Sequence, residues 1–481
     1  MGLEKEYNQA ATLAKSLPLP LHPTKTFEYS IRVLGGLLGG HTVTGDEELL
    51  AAAVRVADSM LEGAFASSPT ALPRMYDVVA PASTSSSSFL GWGGNALHRV
   101  YASVYRRIRD WMGEHEVNSL AGVGSFSLEF TYLSSLTGDV KYKNAAHDIL
   151  HHVMQTTPKA GSHMVPFMWN VMTGQSHINM TSLGSGSDSF YEYLIKGAIL
   201  EQPLADERDV TALGLYESVV QEALLQQDAR HVKKTRNKNV SYPVDRKKYN
   251  HLLCFIPGML ALGETYYLDG LNSVHGEKNA MSLAKELADG CLDSYKTTMT
   301  GLGPEEILFS TNKPMISDGG FYLRPEFVES LFILYRTTGD KRYQDFAWDI
   351  FQSIEKYCKV EKGYVGLKHI NKNGDANRNK VNEMPSFFLA ETLKYLALIF
   401  APDDYVNLDS YVFTTEAHPL LQVRHHSDND CAEIDSMNLR QPSSPILSFL
   451  VNTMFCLLIM IKIVPRISRR QKSKLNIKKK I

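Results

Sequence analysis

The 481-residue chain starts without an apolar stretch: Met1 to Pro20 (MGLEKEYNQAATLAKSLPLP) has no hydrophobic core of the kind a secretory signal requires. Cysteine is scarce. The five residues are odd in number and include no CxxC pair, which excludes a disulfide-built scaffold and a zinc knuckle. Charge of one sign is also missing, with 50 Lys+Arg against 52 Asp+Glu, so a polybasic nucleic-acid binder is excluded. Disorder is excluded by a hydrophobic fraction of 44%. Length alone suggests about three domains of roughly 150 residues, although large barrels run longer as single units.

The near-neutral charge is an average over two unlike parts. From Arg466 onward the chain carries eight basic residues and no acid, leaving 42 basic against 52 acidic residues before it, a net of −10. Ahead of that tail, Ile446 to Val464 (ILSFLVNTMFCLLIMIKIV) is apolar apart from Ser448, Asn452, Thr453 and Lys462. As a helix it would cover about 28 Å, enough for a hydrocarbon core of roughly 30 Å. A membrane span is expected at 446–464, after a polar linker at 422–445 and before a basic tail at 465–481. Basic residues stay cytosolic, which would place the acidic body in a lumen, and the terminal KKKI resembles a dilysine retrieval signal. The N-terminus as written predicts the opposite topology, a tail anchor with a cytosolic body, unless sequence precedes Met1. The sequons Asn179-Met-Thr181 and Asn239-Val-Ser241 suit the lumenal alternative.

The body reads as helices that repeat. Tyr29–Asp58, Phe126–Leu150 and Phe327–Phe351 each hold an apolar helical run, a Thr-Gly-Asp, and a second helical run. Gly is expected to end the first helix in a left-handed conformation and Asp to cap the next. Two further helices, DSFYEYLIKGAIL (Asp188–Leu200) and PSFFLAETLKYLALIF (Pro385–Phe400), carry a Glu among aromatics. The repeats lie 93 and 201 residues apart, which fits a closed toroid of helical hairpins better than a short-period solenoid. The fold class is therefore all-α, an (α/α) barrel. Residues 80–118, with STSSSS and the basic run Leu97–Glu116, read as an insertion.

Several acids stand in apolar helical surroundings: Glu129, Glu192, Glu326, Glu329, Glu391 and Glu416. An unpaired buried carboxylate is costly, so each needs a partner or a task. Carboxylates in an aromatic-rich cavity suit sugar binding and acid/base cleavage of a glycosidic bond.

SLGSGSDSFYEYLIK (Ser182–Lys196), HLLCFIPGMLALG (His251–Gly263), LRPEFVESLFILYRTTGD (Leu323–Asp340), SFFLAETLKYLALIF (Ser386–Phe400) and VFTTEAHPL (Val412–Leu420) together resemble the class I α-1,2-mannosidases, glycoside hydrolase family 47. The resemblance covers residues 1–421. It implies an (α/α)7 barrel, here lacking its first helical hairpin, that removes α-1,2-linked mannose from high-mannose N-glycans with inversion and needs Ca2+. By motif it implies Glu129 as general acid, directly or through a water, and Glu326 as the base. Arg324 would orient sugar hydroxyls or hold Glu326 ionised. Glu192, Glu329, Glu391 and Glu416 would lie near the metal and the sugar, Phe387 or Phe388 would stack on that sugar, and Thr415 would ligate calcium through its hydroxyl and carbonyl.

The resemblance places a third catalytic carboxylate directly before HLLCF, where this chain has Asn250, which cannot ionise. If Glu326 alone is the base, activity survives; if the pair shares the work, it falls by several orders of magnitude. The alternative function is thus a catalytically impaired, glycan-binding protein of ER-associated degradation. Either reading implies the endoplasmic reticulum or Golgi membrane with the barrel lumenal. No disulfide follows from spacing, Cys291 and Cys358 being the candidates.

Overall fold

The computed structural model describes residues 4–423 except 21–23, 79–116, 158–163, 202–211, 222–229, 235–238, 246, 267–278, 310–313 and 372–378. The expected membrane span, the basic tail, the STSSSS stretch and the Leu97–Glu116 run lie outside the described residues.

Helices α1 (Glu4–Lys15), α2 (Gly35–Thr44), α3 (Glu47–Met60), α4 (Ser127–Thr137), α5 (Lys141–Thr156), α6 (Asp188–Glu201), α7 (Ala212–Val219), α8 (Ile256–Tyr266), α9 (Ala280–Lys296), α10 (Glu326–Thr338), α11 (Arg342–Tyr357) and α12 (Leu393–Leu398) alternate between two layers. Residue pattern decides the layer. In α5 the buried positions are Tyr142, Ala146, Ile149 and Val153, and in α11 they are Tyr343, Ala347, Ile350 and Ile354. That spacing is one apolar stripe per helix, so these two lie outside with a single face inward. In α6, by contrast, every residue from Ser189 to Leu200 is buried, so it must be enclosed on all sides. The inner helices α2, α4, α6, α8, α10 and α12 touch one another in chain order. Arg32, on the π-helical turn Tyr29–Leu34 that leads into α2, reaches Ser386 Oγ before α12 at 3.0 Å and ties the first inner helix to the last.

The three Thr-Gly-Asp turns fold alike. Gly45, Gly138 and Gly339 have φ of +65°, +73° and +67°. Their N–H groups return to His41, Ser134 and Tyr335, closing the inner helix. Asp46, Asp139 and Asp340 then accept the N–H of Glu48, Lys141 and Arg342 at 3.0, 3.1 and 3.0 Å. Each such cap is worth about 1 kcal/mol.

Short strands gather at the inner helices' N-terminal ends. β1 (Val117–Ser119), β2 (Pro166–Asn170) and β3 (Ser176–Thr181) form one antiparallel sheet, with β3 at its edge. β4 (Arg230–Lys234) pairs with β5 (Asn239–Pro243), and β6 (Lys248–Asn250) joins β7 (Glu306–Phe309) and β8 (Pro314–Asp318). A last hairpin, β9 (Tyr411–Phe413) with β10 (Pro419–Leu421), packs against α6 and α2. Its buried His418 lies so close that a Cβ on Gly35 would sit 2.9 Å from the ring, which explains glycine there.

Cys254 and Cys291 form a disulfide, with Cα atoms 6.1 Å apart, and Cys358 is a buried free thiol. Cys291 is thus paired as a candidate, but with Cys254. The reason is geometric: Cys254, in the 3-10 turn His251–Phe255 before α8, faces α9, a pairing that sequence separation does not reveal.

Candidate active site

A helix start is electrostatically positive and welcomes carboxylates. Here the starts of the inner helices carry the chemistry: Glu129 in the first turn of α4, Asp188 as the first residue of α6, His251 in the 3-10 turn leading into α8, Glu326 as the first residue of α10, and Phe387 before the π-helical turn Phe388–Thr392 that leads into α12. One turn deeper stand Arg32, Glu192, Glu329 and Glu391. The tip of the β9–β10 hairpin brings in Thr415 and Glu416.

Glu129 has no exposed surface. The Tyr193 hydroxyl donates to its Oε1 at 2.8 Å, while Oε2 has no partner. Burial pushes its carboxyl up to about 8 despite that bond, so it holds a proton at neutral pH. Glu326 differs. Its side chain retains 17% exposure, and Oε2 lies 3.1 Å from His251 Nδ1, whose Nε2 lies 2.6 Å from the Tyr295 hydroxyl. Burial alone would raise its pKa, but the His251 bond and the charges of His251 and Arg324 lower it below the usual carboxylate value. Arg324 is itself clamped to Glu305, with contacts of 2.8–2.9 Å. Two carboxyls pushed in opposite directions are the equipment for paired acid and base work.

Below them Lys196 binds Glu192 and, at 2.9 Å, Glu329, which also accepts from Tyr395 at 3.3 Å. Burial would discharge Lys196, but the two glutamates keep it an ammonium. Arg32 pairs with Glu416 at 2.6 Å and with Glu28 at 2.7 Å. Burial raises both Glu416 and Glu391; the charge of Glu416 raises Glu391 further, whereas the charge of Arg32 and a hydrogen bond with Glu391 work against the rise in Glu416. The Thr415 N–H donates to the Tyr193 hydroxyl at 3.3 Å, so the hairpin tip and Glu129 share one tyrosine. Lys394 donates to the Ala417 carbonyl at 2.7 Å and fixes the tip's left-handed turn, where Ala417 has φ +56°. Among the described residues no three His, Cys, Asp or Glu side chains form a metal cluster. The donor set is instead threonine and unpartnered carboxylate oxygen, which fits a hard cation holding few protein ligands and several waters.

The proposed site residues are therefore brought together, with two qualifications of role. Phe388 is fully buried with its ring 5.0 Å from that of Tyr364, so Phe387 is the one with surface to offer a ligand. Asn250 closes strand β6 and its Oδ1 accepts the Leu252 N–H at 3.0 Å, capping the 3-10 turn. Among the acids in the field of Glu326 is Asp188, which burial, with help from Glu326 and Glu192, pushes up to about 7. Sequence reading missed Asp188 and His251. Asp188 reads as an ordinary helix-start acid, and His251 stands beside the residue that drew attention. Glu305, 19 residues before Arg324, carried no signal at all.

The sequence profile of glycosyl hydrolase family 47 matches residues 1–422. A mannosyl-oligosaccharide 1,2-alpha-mannosidase of Arabidopsis thaliana is 36% identical over 429 residues, covering 87% of this chain and 69% of its own. The endoplasmic reticulum mannosyl-oligosaccharide 1,2-alpha-mannosidase of Homo sapiens is 34% identical over 440 residues, covering 87% and 56%. The chain thus spans between about half and 70% of these curated relatives' lengths. Among solved structures, an alpha-1,2-mannosidase from Trichoderma reesei superposes with a TM-score of 0.69 at 22% identity, over 88% of this chain and 89% of that one.

Proposed function

The chain belongs to glycosyl hydrolase family 47 and has its (α/α)7-type barrel fold, and from that premise we propose that it hydrolyses terminal α-1,2-linked mannose of high-mannose N-glycans with inversion. The observation that carries this reading is the opposed pair, Glu129 protonated and Glu326 ionised. The Glu129 carboxyl gives its proton to the glycosidic oxygen, through a water since it is wholly enclosed, as the bond from the anomeric carbon to that oxygen breaks. Glu326 takes a proton from the water that attacks the same carbon from the opposite face. Asp188, with surface left open and a pKa near neutrality, shares that region and supplies the third acid. His251 and Arg324 keep Glu326 charged. Lys196 holds Glu192 and Glu329 in place, and Phe387 offers its ring to the sugar.

Thr415 would hold Ca2+ through its own oxygens, with Glu391 and Glu416 close by. A bound calcium would supply positive charge that fixes sugar hydroxyls and relieves the crowding of these carboxylates. Asn250 caps the 3-10 turn through its Oδ1, a task an aspartate would perform equally well, so the missing charge is a change in the site's chemistry that Asn250→Asp tests: a large gain in mannose release would favour the impaired-enzyme reading.

We place the barrel in the lumen of the secretory pathway, supported by the Cys254–Cys291 bond, which belongs in an oxidising compartment. No helix among the described residues is long and apolar enough to cross a membrane. The Ile446–Val464 segment remains the proposed anchor, tested by carbonate extraction of membranes with and without it. The function is tested by mannose release from a high-mannose glycan. Activity that disappears with a chelator and returns with calcium supports it; a folded, calcium-loaded full chain that releases nothing overturns it.

A further inference from the structure

The two sequons occupy opposite kinds of site. Asn179 lies on β3, the outer strand of its sheet, where His177, Ile178, Asn179 and Met180 are all exposed. Thr181 pairs with Pro166 and Ile178 with Met168, so Asn179 and Met180 together oppose one residue, Phe167. That is a β-bulge, which bends an edge and turns side chains outward. Ser176 Oγ donates to Asn179 Oδ1 at 2.8 Å, an arrangement that leaves the amide nitrogen without a bond among the described residues. Asn239 begins β5, which packs between β4 and α9. Its sequon hydroxyl, on Ser241, is 1% exposed and donates to Glu286. The fit is so close that a Cβ on Gly290 of α9 would stand 2.0 Å from the Ser241 carbonyl.

We propose that Asn179, and not Asn239, carries an N-linked oligosaccharide, and that this glycan shields the open edge of β3. The inference rests on the lumenal reading of the barrel. Asn179 Nδ2 displaces the diphosphate of a lipid-linked oligosaccharide: the anomeric C–N bond forms, the C–O bond to phosphate breaks, and an amide proton leaves with the lipid diphosphate. The edge needs covering because Ile178 and Met180 remain 39% and 41% exposed on a strand that pairs on one side only among the described residues, a template for self-association. A bulky polar glycan at the bulge blocks a second strand from docking there.

The test is glycopeptide mass spectrometry of the full chain made in a eukaryotic secretory pathway. The expected result is one occupied site, at Asn179, lost in Asn179→Gln and in Thr181→Ala but kept in Thr181→Ser. The two unglycosylated variants should gain an oligomer fraction in light scattering that Thr181→Ser lacks. Unmodified Asn179 in molecules whose Cys254–Cys291 bond is formed overturns the proposal, as does a glycan on Asn239. Unchanged self-association without the glycan overturns the shielding role. Recovery of Cys254 and Cys291 as free thiols overturns the lumenal reading on which the proposal rests.

Discussion

The start of α4 and the start of α10 are built alike. Each places a glutamate in the first turn of an inner helix, mostly or wholly enclosed, and each helix ends in a Thr-Gly-Asp turn. Yet Glu129 is pushed up to about 8 and Glu326 is held below its ordinary value. Burial acts on both in the same direction. The difference is the company: Glu129 has one neutral phenol, whereas Glu326 has an imidazole and the field of a guanidinium. Identical residues in the first turns of two inner helices thus become acid and base through three or four neighbours.

Removing either carboxyl should cost most. Glu326→Gln and Glu129→Gln should each lower kcat by ~10³-fold. An α-mannosyl fluoride, whose leaving group needs no proton, should recover most of the loss in Glu129→Gln and none in Glu326→Gln; equal behaviour would erase the distinction between the two ends. The same pair differs in stability. A raised carboxyl such as Glu129 contributes stability below its unfolded pKa, and that contribution is lost as pH rises toward about 8. Glu129→Gln should therefore raise the melting temperature at pH 8 relative to the parent chain and change little at pH 4.

The disulfide comes next. It closes a 37-residue separation and begins three residues after His251, so it braces the base end. The double change Cys254→Ala with Cys291→Ala should cost about 4 kcal/mol in denaturant unfolding by the loop-entropy argument. A smaller effect is expected from His251→Gln. Without its partner Glu326 rises, and because a base must be ionised, the acid limb of kcat/KM should move to higher pH. A limb that stays in place would mean that Arg324 suffices. Smallest is Asp139→Ala at the far end of α4, expected to cost about 1 kcal/mol and to leave the pH profile untouched.

Sequence reading went far with local features and stalled on non-local ones. The Thr-Gly-Asp turns were legible because every group that satisfies them lies within a few residues. The carboxylates were legible because acids flanked by aromatics violate the helix pattern. Asn250 was legible as a non-ionising residue before HLLCF, whereas its cap to Leu252 was not. Phe387 and Phe388 stayed indistinguishable until Tyr364 covered one of them. Cys254 found Cys291 only when α8 and α9 were laid side by side.

The sequence by itself determined that this chain forms helical hairpins and where the three Thr-Gly-Asp turns fall, because capping and amphipathic spacing act over four to seven residues, and its long ordered motifs carried the family resemblance. Only the tertiary structure decided which glutamate keeps its proton. That choice depends on burial and on partners 64 to 133 residues away, Tyr193 for Glu129, His251 for Glu326 and Lys196 for Glu329, and electrostatic fields act through space regardless of distance along the chain.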